Sequence, residues 1–194
     1  MKVREATGLP SDIAASLGRM ISRFSLLEAI LARILYQLVG VDPKRGRVAV
    51  GAPRVGDYPK RMQQLAEVIG IDLSPFPWNA YKKTLDNLKE QRDVFAHSVW
   101  LVDVETKKYL IQDTSGNWPA PPNTKPLSRK IVPEGRNVTP SDLRKLRADV
   151  DKAIQEAKAL ARFVRYSLQV HATRLGAASP QDHPRPQSQT HSKH

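Results

Sequence analysis

The sequence predicts a mainly α protein: an up-and-down helical bundle of about four helices, with a small β-hairpin inserted between helices three and four. Three observations predict it. Residues 11–40 and 139–176 repeat apolar side chains at alternating spacings of three and four, the pattern of helices buried along one stripe. Helix punctuation stands at their ends, with Thr139-Pro140 before the last helix and Gly40 after the first. Between Val99 and Ile111 the pattern changes to two short β-prone runs around a polar turn.

The first helix is expected to start at Ser11 as N-cap, with Asp12 favourably placed in the first turn. Ile13, Leu17, Met20, Phe24, Leu27, Leu31, Ile34 and Leu38 form its seam, and Ile21, Ile30 and Leu35 widen it as a bundle helix requires. Residues 41–58 read as a loop carrying Lys44, Arg45, Arg47 and Arg54; Val48-Ala49-Val50 fits a short strand or a helical turn. A second helix spans Pro59 to Ile69, with Met62, Leu65, Ala66 and Ile69 inward and Gly70 just beyond its end. Ser74-Pro75-Phe76-Pro77 leads rigidly into the third, from Trp78 to Ala96.

The hairpin follows, turning at Asp103-Val104-Glu105-Thr106-Lys107-Lys108. Six prolines in 117–140 predict an irregular excursion, with one strand near Arg129 to Val132. The last helix opens at Thr139-Pro140-Ser141-Asp142, buries Leu143, Leu146, Val150, Ile154, Ala157, Leu160, Val164 and Leu168, and fades near Gly176. Residues 1–176 thus read as one helical domain containing the 98–138 insertion. Residues 177–194, rich in Pro, Ser, Gln and His, read as a disordered tail.

The formal net charge of +12 over 194 residues favours a polyanionic partner. Its distribution is uneven: 64–104 holds four basic residues against six acidic ones, so the surplus lies in 40–63, 105–138 and the last helix. A basic rim around a less basic centre follows. With no cysteine, disulfides and thiolate metal sites are excluded. No apolar run reaches the ~20 residues of a bilayer span, and no apolar signal core follows Met1, so the expectation is cytoplasmic with no membrane partner. Three of the five histidines, His183, His191 and His194, lie in the tail without ligand spacing. No metal or other cofactor is expected.

One stretch departs from helix-packing logic. In the third helix, Tyr81, Leu85, Leu88, Arg92, Phe95 and Val99 follow one face, so Arg92 stands where an apolar residue belongs. A buried guanidinium is costly unless it is paired or faces a cleft. Glu28, on the flank of the first helix, is a candidate partner for it. His97 lies five residues further on, near the helix end, and Asp93 is one turn before it.

Arg92-Asp93-Val94-Phe95-Ala96-His97 resembles the R-x4-6-H signature of the HEPN superfamily, in which a polar residue often follows the arginine. The resemblance covers Ser11 to Leu38 and Trp78 to Trp100, with a weaker match in the last helix. It implies a small, commonly dimeric helical bundle, and in many members a metal-independent endoribonuclease of toxin–antitoxin, phage-defence or RNA-processing systems. Arg92, His97 and Asp93 are then the catalytic candidates and Glu28 a supporting one, while Lys44, Arg45, Arg47 and Arg54 are candidates for RNA binding. RNA, a second copy of the chain, and an antitoxin or other protein partner are implied. Some HEPN toxins carry a tyrosine two residues after the histidine, as the target of a nucleotidyltransferase; Val99 occupies that position here.

Histidine and arginine suit metal-free RNA cleavage. An imidazole with pKa near ~6.5 can take the 2′-hydroxyl proton, and a planar guanidinium can give two hydrogen bonds to a phosphoryl group. The alternative is a non-catalytic helical dimer or interaction module in which Arg92 and His97 form a structural network. Where His97 points, into an open cleft or into packed protein, discriminates the two.

Overall fold

The computed structural model describes residues 3–51, 53–112 and 136–177. Among them the chain is mainly helical, with a small antiparallel sheet. The elements are β1 (Val3–Glu5), α1 (Ser11–Val39), α2 (Pro43–Val50), a 3-10 turn (Val55–Asp57), α3 (Tyr58–Ile69), α4 (Trp78–His97), β2 (Val99–Asp103), β3 (Tyr109–Gln112), β4 (Arg136–Asn137) and α5 (Pro140–Ala177).

The apolar seam of α1 is buried at every expected position except the half-buried Leu17, and Leu35 joins it. Ile21 does not: it is 39 % exposed. The cap also differs. Pro10, in an extended conformation, precedes the helix, its carbonyl accepting from the Ala14 N–H at 2.8 Å, so Ser11 is the first helical residue and not the N-cap. Gly40 stops the helix in the left-handed region, φ 73°, its N–H reaching back to Gln37 and Tyr36.

Residues 41–58 are not a plain loop. Asp42 caps α2 by accepting from the N–H groups of Lys44 at 2.8 Å and Arg45 at 3.1 Å, with Pro43 in the first turn. Val48-Ala49-Val50 is therefore the end of a helix. Gly46 is buried face-on against Tyr36 of α1, where a Cβ would land in the ring. A glycine in mid-helix disfavours helix by propensity, but here it permits the contact that docks α2.

The hairpin forms as expected, and it is the middle of a four-stranded sheet ordered β1-β2-β3-β4. β1 pairs with β2 in the register Val3↔Asp103 to Glu5↔Leu101, and β4 pairs with β3 through Leu110↔Asn137 and Ile111↔Arg136. The Asp103 carboxylate organises the turn, accepting from the Glu105 N–H at 3.0 Å and the Thr106 hydroxyl at 2.7 Å. These bonds hold its pKa below the usual carboxylate range, the Thr106 hydroxyl most of all. The strand expected near Arg129 to Val132 and the tail from 178 onward lie outside the described residues.

Thr139 and Asp142 close the start of α5 reciprocally: the Thr139 N–H donates to Asp142 Oδ2 at 2.8 Å, and the Asp142 N–H to Thr139 Oγ1 at 3.3 Å. Its inner stripe from Leu143 to Val164 is buried, mainly against α1. Arg23 of α1 pairs with Asp151 of α5, and one turn earlier Arg19 shares a small cavity with Arg147. The two helices therefore run in the same direction. Against α4 the order reverses: the Tyr81 hydroxyl reaches the Ala153 carbonyl at 3.4 Å, while Gln91 shares a cavity with Asp149. Strict up-and-down alternation thus holds for α4 and α5 and not for α1 and α5. Among the described residues no single helix is long and apolar enough to cross a membrane.

Candidate functional site

Three elements converge on an open cleft of about 790 Å³. The end of α4 brings Lys89, Arg92, Asp93 and His97. The middle of α1 brings Glu28 and Arg33, and the stretch from α2 to the 3-10 turn brings Arg47 and Arg54. On α1, Ala29 and Ala32 stand between the charged residues, and their small side chains leave the groove open. Tyr36 and Tyr58 form the buried wall behind it.

Arg92 is the anchor. Its guanidinium carbon lies 4.8 Å from the centre of the Phe24 ring, Nη2 is 3.9 Å from Glu28 Oε1, and Nε is 3.3 Å from Asp93 Oδ1. Its Nε is enclosed yet makes no well-aligned hydrogen bond. The apolar seam thus accepts an arginine because Phe24 offers a π face, two carboxylates offset its charge, and the side chain stays 26 % exposed towards the cleft.

His97 ends α4. Ser98 turns to an extended conformation, its N–H still bonded to the Val94 carbonyl at 3.2 Å, and the chain continues directly into β2. The imidazole therefore stands at a helix–strand junction, with its side chain 63 % exposed on the cleft. Asp93 is one turn away, but the separation from His97 Nε2 is 3.9 Å, beyond direct hydrogen-bond length. The carboxylate sits closer to Lys89, at 2.9 Å, and to Arg92.

The far wall is held by packing. Val55 is buried, and Gly56 lies close against the Asp86 carboxylate of α4, which fixes the segment carrying Arg54. The Arg61 side chain reaches the Val50 carbonyl at 3.4 Å, tying the end of α2 to α3. Lys44 and Arg45 do not line the cleft; Arg45 turns back to Asp42, with Nε 3.4 Å from Oδ2. Of the four expected RNA-binding residues, Arg47 and Arg54 reach the site.

The electrostatics favour an anion. Arg33, Arg47, Arg54, Lys89 and Arg92 outweigh Glu28 and Asp93 by three charges with His97 neutral. Burial pushes the Glu28 pKa above its ordinary value; Arg92 pulls it down, and Asp93 pushes it further up. Tyr58 is pushed up to about 12, chiefly by burial and then by its neighbours Tyr36 and Glu28, so it stays a neutral hydroxyl at physiological pH. Among the described residues, no group of three His, Asp or Glu side chains is placed to hold a metal ion.

Sequence reasoning missed Arg33 and Lys89. The signal for Arg33 was available: it lies five residues after Glu28, and the alanines at 29 and 32 interrupt the flank between them. Lys89 is one turn before Asp93, the spacing of a helical ion pair. The chain matches no family model, no curated protein and no solved structure.

Proposed function

We propose that this cleft cleaves RNA, and that the chain is a metal-independent endoribonuclease of HEPN type. The observation that supports this reading best is that His97 stands exposed on the same open, cation-rich cleft as Arg92. His97 takes the proton from a 2′-hydroxyl, and that oxygen attacks the adjacent phosphorus. The P–O5′ bond breaks, and the 5′-oxygen leaves as a hydroxyl with a proton drawn from solvent in the open cleft. The product ends are a 2′,3′-cyclic phosphate and a 5′-hydroxyl. Arg92 offsets the charge that gathers on the phosphoryl oxygens, and Glu28 and Asp93 hold its guanidinium in place. Arg47 and Arg54 face the backbone phosphates on the opposite wall. DNA, which lacks the attacking hydroxyl, is spared.

A toxin or phage-defence role, an antitoxin partner and a homodimer follow from the resemblance and belong to the same proposal. The test is incubation of the purified protein with mixed RNA, and with DNA of matched sequence, in the presence of EDTA. Cutting of RNA alone, leaving cyclic phosphate ends, is the expected result; intact RNA would count against the reading.

The second reading, an interaction module, draws on the same arginine. Phe24, Glu28 and Asp93 engage Arg92 from several sides, as a purely structural network would. Arg92→Lys separates the two. The ribonuclease loses on the order of 10²-fold in rate while its melting temperature holds within a few degrees, because the charge stays but the planar fork is lost. A structural network loses stability instead.

A further inference from the structure

A second cationic site lies between the beginnings of α1 and α5, built from residues outside the cleft. A cavity of about 180 Å³ is lined by Ser16 and Arg19 from α1 and by Leu143, Arg144 and Arg147 from α5. The spacing explains the convergence. Ser16 and Arg19 are three apart, as are Arg144 and Arg147, so each pair shares a helical face. Because the two helices run in the same direction, those faces meet near both N-termini.

Three arginine side chains line this one small cavity, and no carboxylate does. Arg147 has Asp151 at 3.9 Å, but that carboxylate is held much more closely by Arg23. Among the described residues, no carboxylate lies within ion-pair distance of Arg19 or Arg144. Ser16 is buried on the cavity wall and brings a hydroxyl.

We propose that this cavity binds a phosphate group, held by Arg19, Arg144 and Arg147. Guanidinium groups are the side chains best matched to a tetrahedral oxyanion, since each can give two parallel hydrogen bonds. The phosphate comes either from the backbone of a bound RNA, a source that rests on the ribonuclease reading, or from free phosphate, which does not. On an RNA, the site would hold a nucleotide away from the one being cut and lengthen the footprint on the protein.

Two measurements on the full chain test this. Inorganic phosphate is titrated while the side-chain Nε–H signals of arginine are followed by NMR. A labelled single-stranded RNA is titrated by fluorescence anisotropy at several salt concentrations, in a His97→Ala background so that it stays whole. Phosphate should shift the signals of Arg19, Arg144 and Arg147 saturably, and the Arg19→Gln/Arg144→Gln variant should lose that response. If the source is RNA, the same variant binds RNA about tenfold more weakly, and its salt slope falls by about 0.7, the value of one single-strand phosphate. A saturable phosphate response with unchanged RNA affinity supports the site and assigns it to free phosphate. Lys158→Gln/Arg162→Gln, which removes two exposed cations elsewhere on α5, is the control. The proposal is overturned if phosphate gives no saturable shift, or if the control variant loses phosphate and RNA binding to the same extent. Neither arm needs RNA to be cut, so failure of the cleavage reading would be seen separately.

Discussion

At the scale of single residues, Arg92 and Glu28 set the character of the cleft. Arg92 was conspicuous in the sequence because a charge interrupted an apolar face, and the pairing with Glu28 across two helices is present at 3.9 Å. Glu28 pays for its position with desolvation, which is the largest influence on its raised pKa. A carboxyl whose folded pKa is raised binds more protons in the folded than in the unfolded state, so its contribution to stability is fully present below its ordinary value of 4.5 and declines as pH rises through the folded pKa. Glu28→Gln removes that dependence. Urea unfolding of both proteins across mildly acidic pH should show wild type losing stability relative to Glu28→Gln as pH rises from 4.5 upward. A difference that stays flat with pH, or grows in favour of wild type, would show that Arg92 outweighs burial.

At the scale of elements, α2 matters most because it carries Arg47 and leads to Arg54. Its docking depends on Gly46 lying against Tyr36. Gly46→Val should force the helix away from α1 at a cost of about 1–3 kcal/mol, the usual range for overpacking. On the ribonuclease proposal, it should also weaken RNA binding as the far wall moves. An unchanged urea midpoint would mean that α2 is held by something other than this contact. The same glycine explains why α2 was not legible in the sequence: Gly46 and Gly51 bracket a short stretch without apolar periodicity, and the Asp42 cap had no periodic run behind it. The long helices were legible because burial along one face leaves a period in the sequence. Strands β1 and β4 were not, since three and two residues carry no period and exist only by pairing with the hairpin. The cleft gathers Arg92, Asp93 and His97 from α4 and Glu28 from the flank of α1. Lys44 and Arg45 do not line it, because charge alone gives no direction, and Asp42 draws Arg45 back to its own helix.

At the scale of the whole molecule, the apolar seams of α1 and α5 bury each other inside one subunit. The proposed homodimer rests on the family resemblance, and Ile21 and Leu26 of α1 and Tyr166 and Leu175 of α5 are among the large apolar side chains left exposed. Light scattering at micromolar concentration and physiological salt should return the mass of two subunits; the mass of one would remove the dimer from the account. The proposal that His97 and Arg92 cut RNA together calls for one comparison. Wild-type and His97→Ala proteins, each shown to be folded by circular dichroism, are incubated with the same RNA in EDTA and their product ends analysed. Wild type should leave 2′,3′-cyclic phosphate ends and His97→Ala should not cut, with RNA affinity largely retained because the cations of the cleft remain. Full cleavage by folded His97→Ala protein would contradict it.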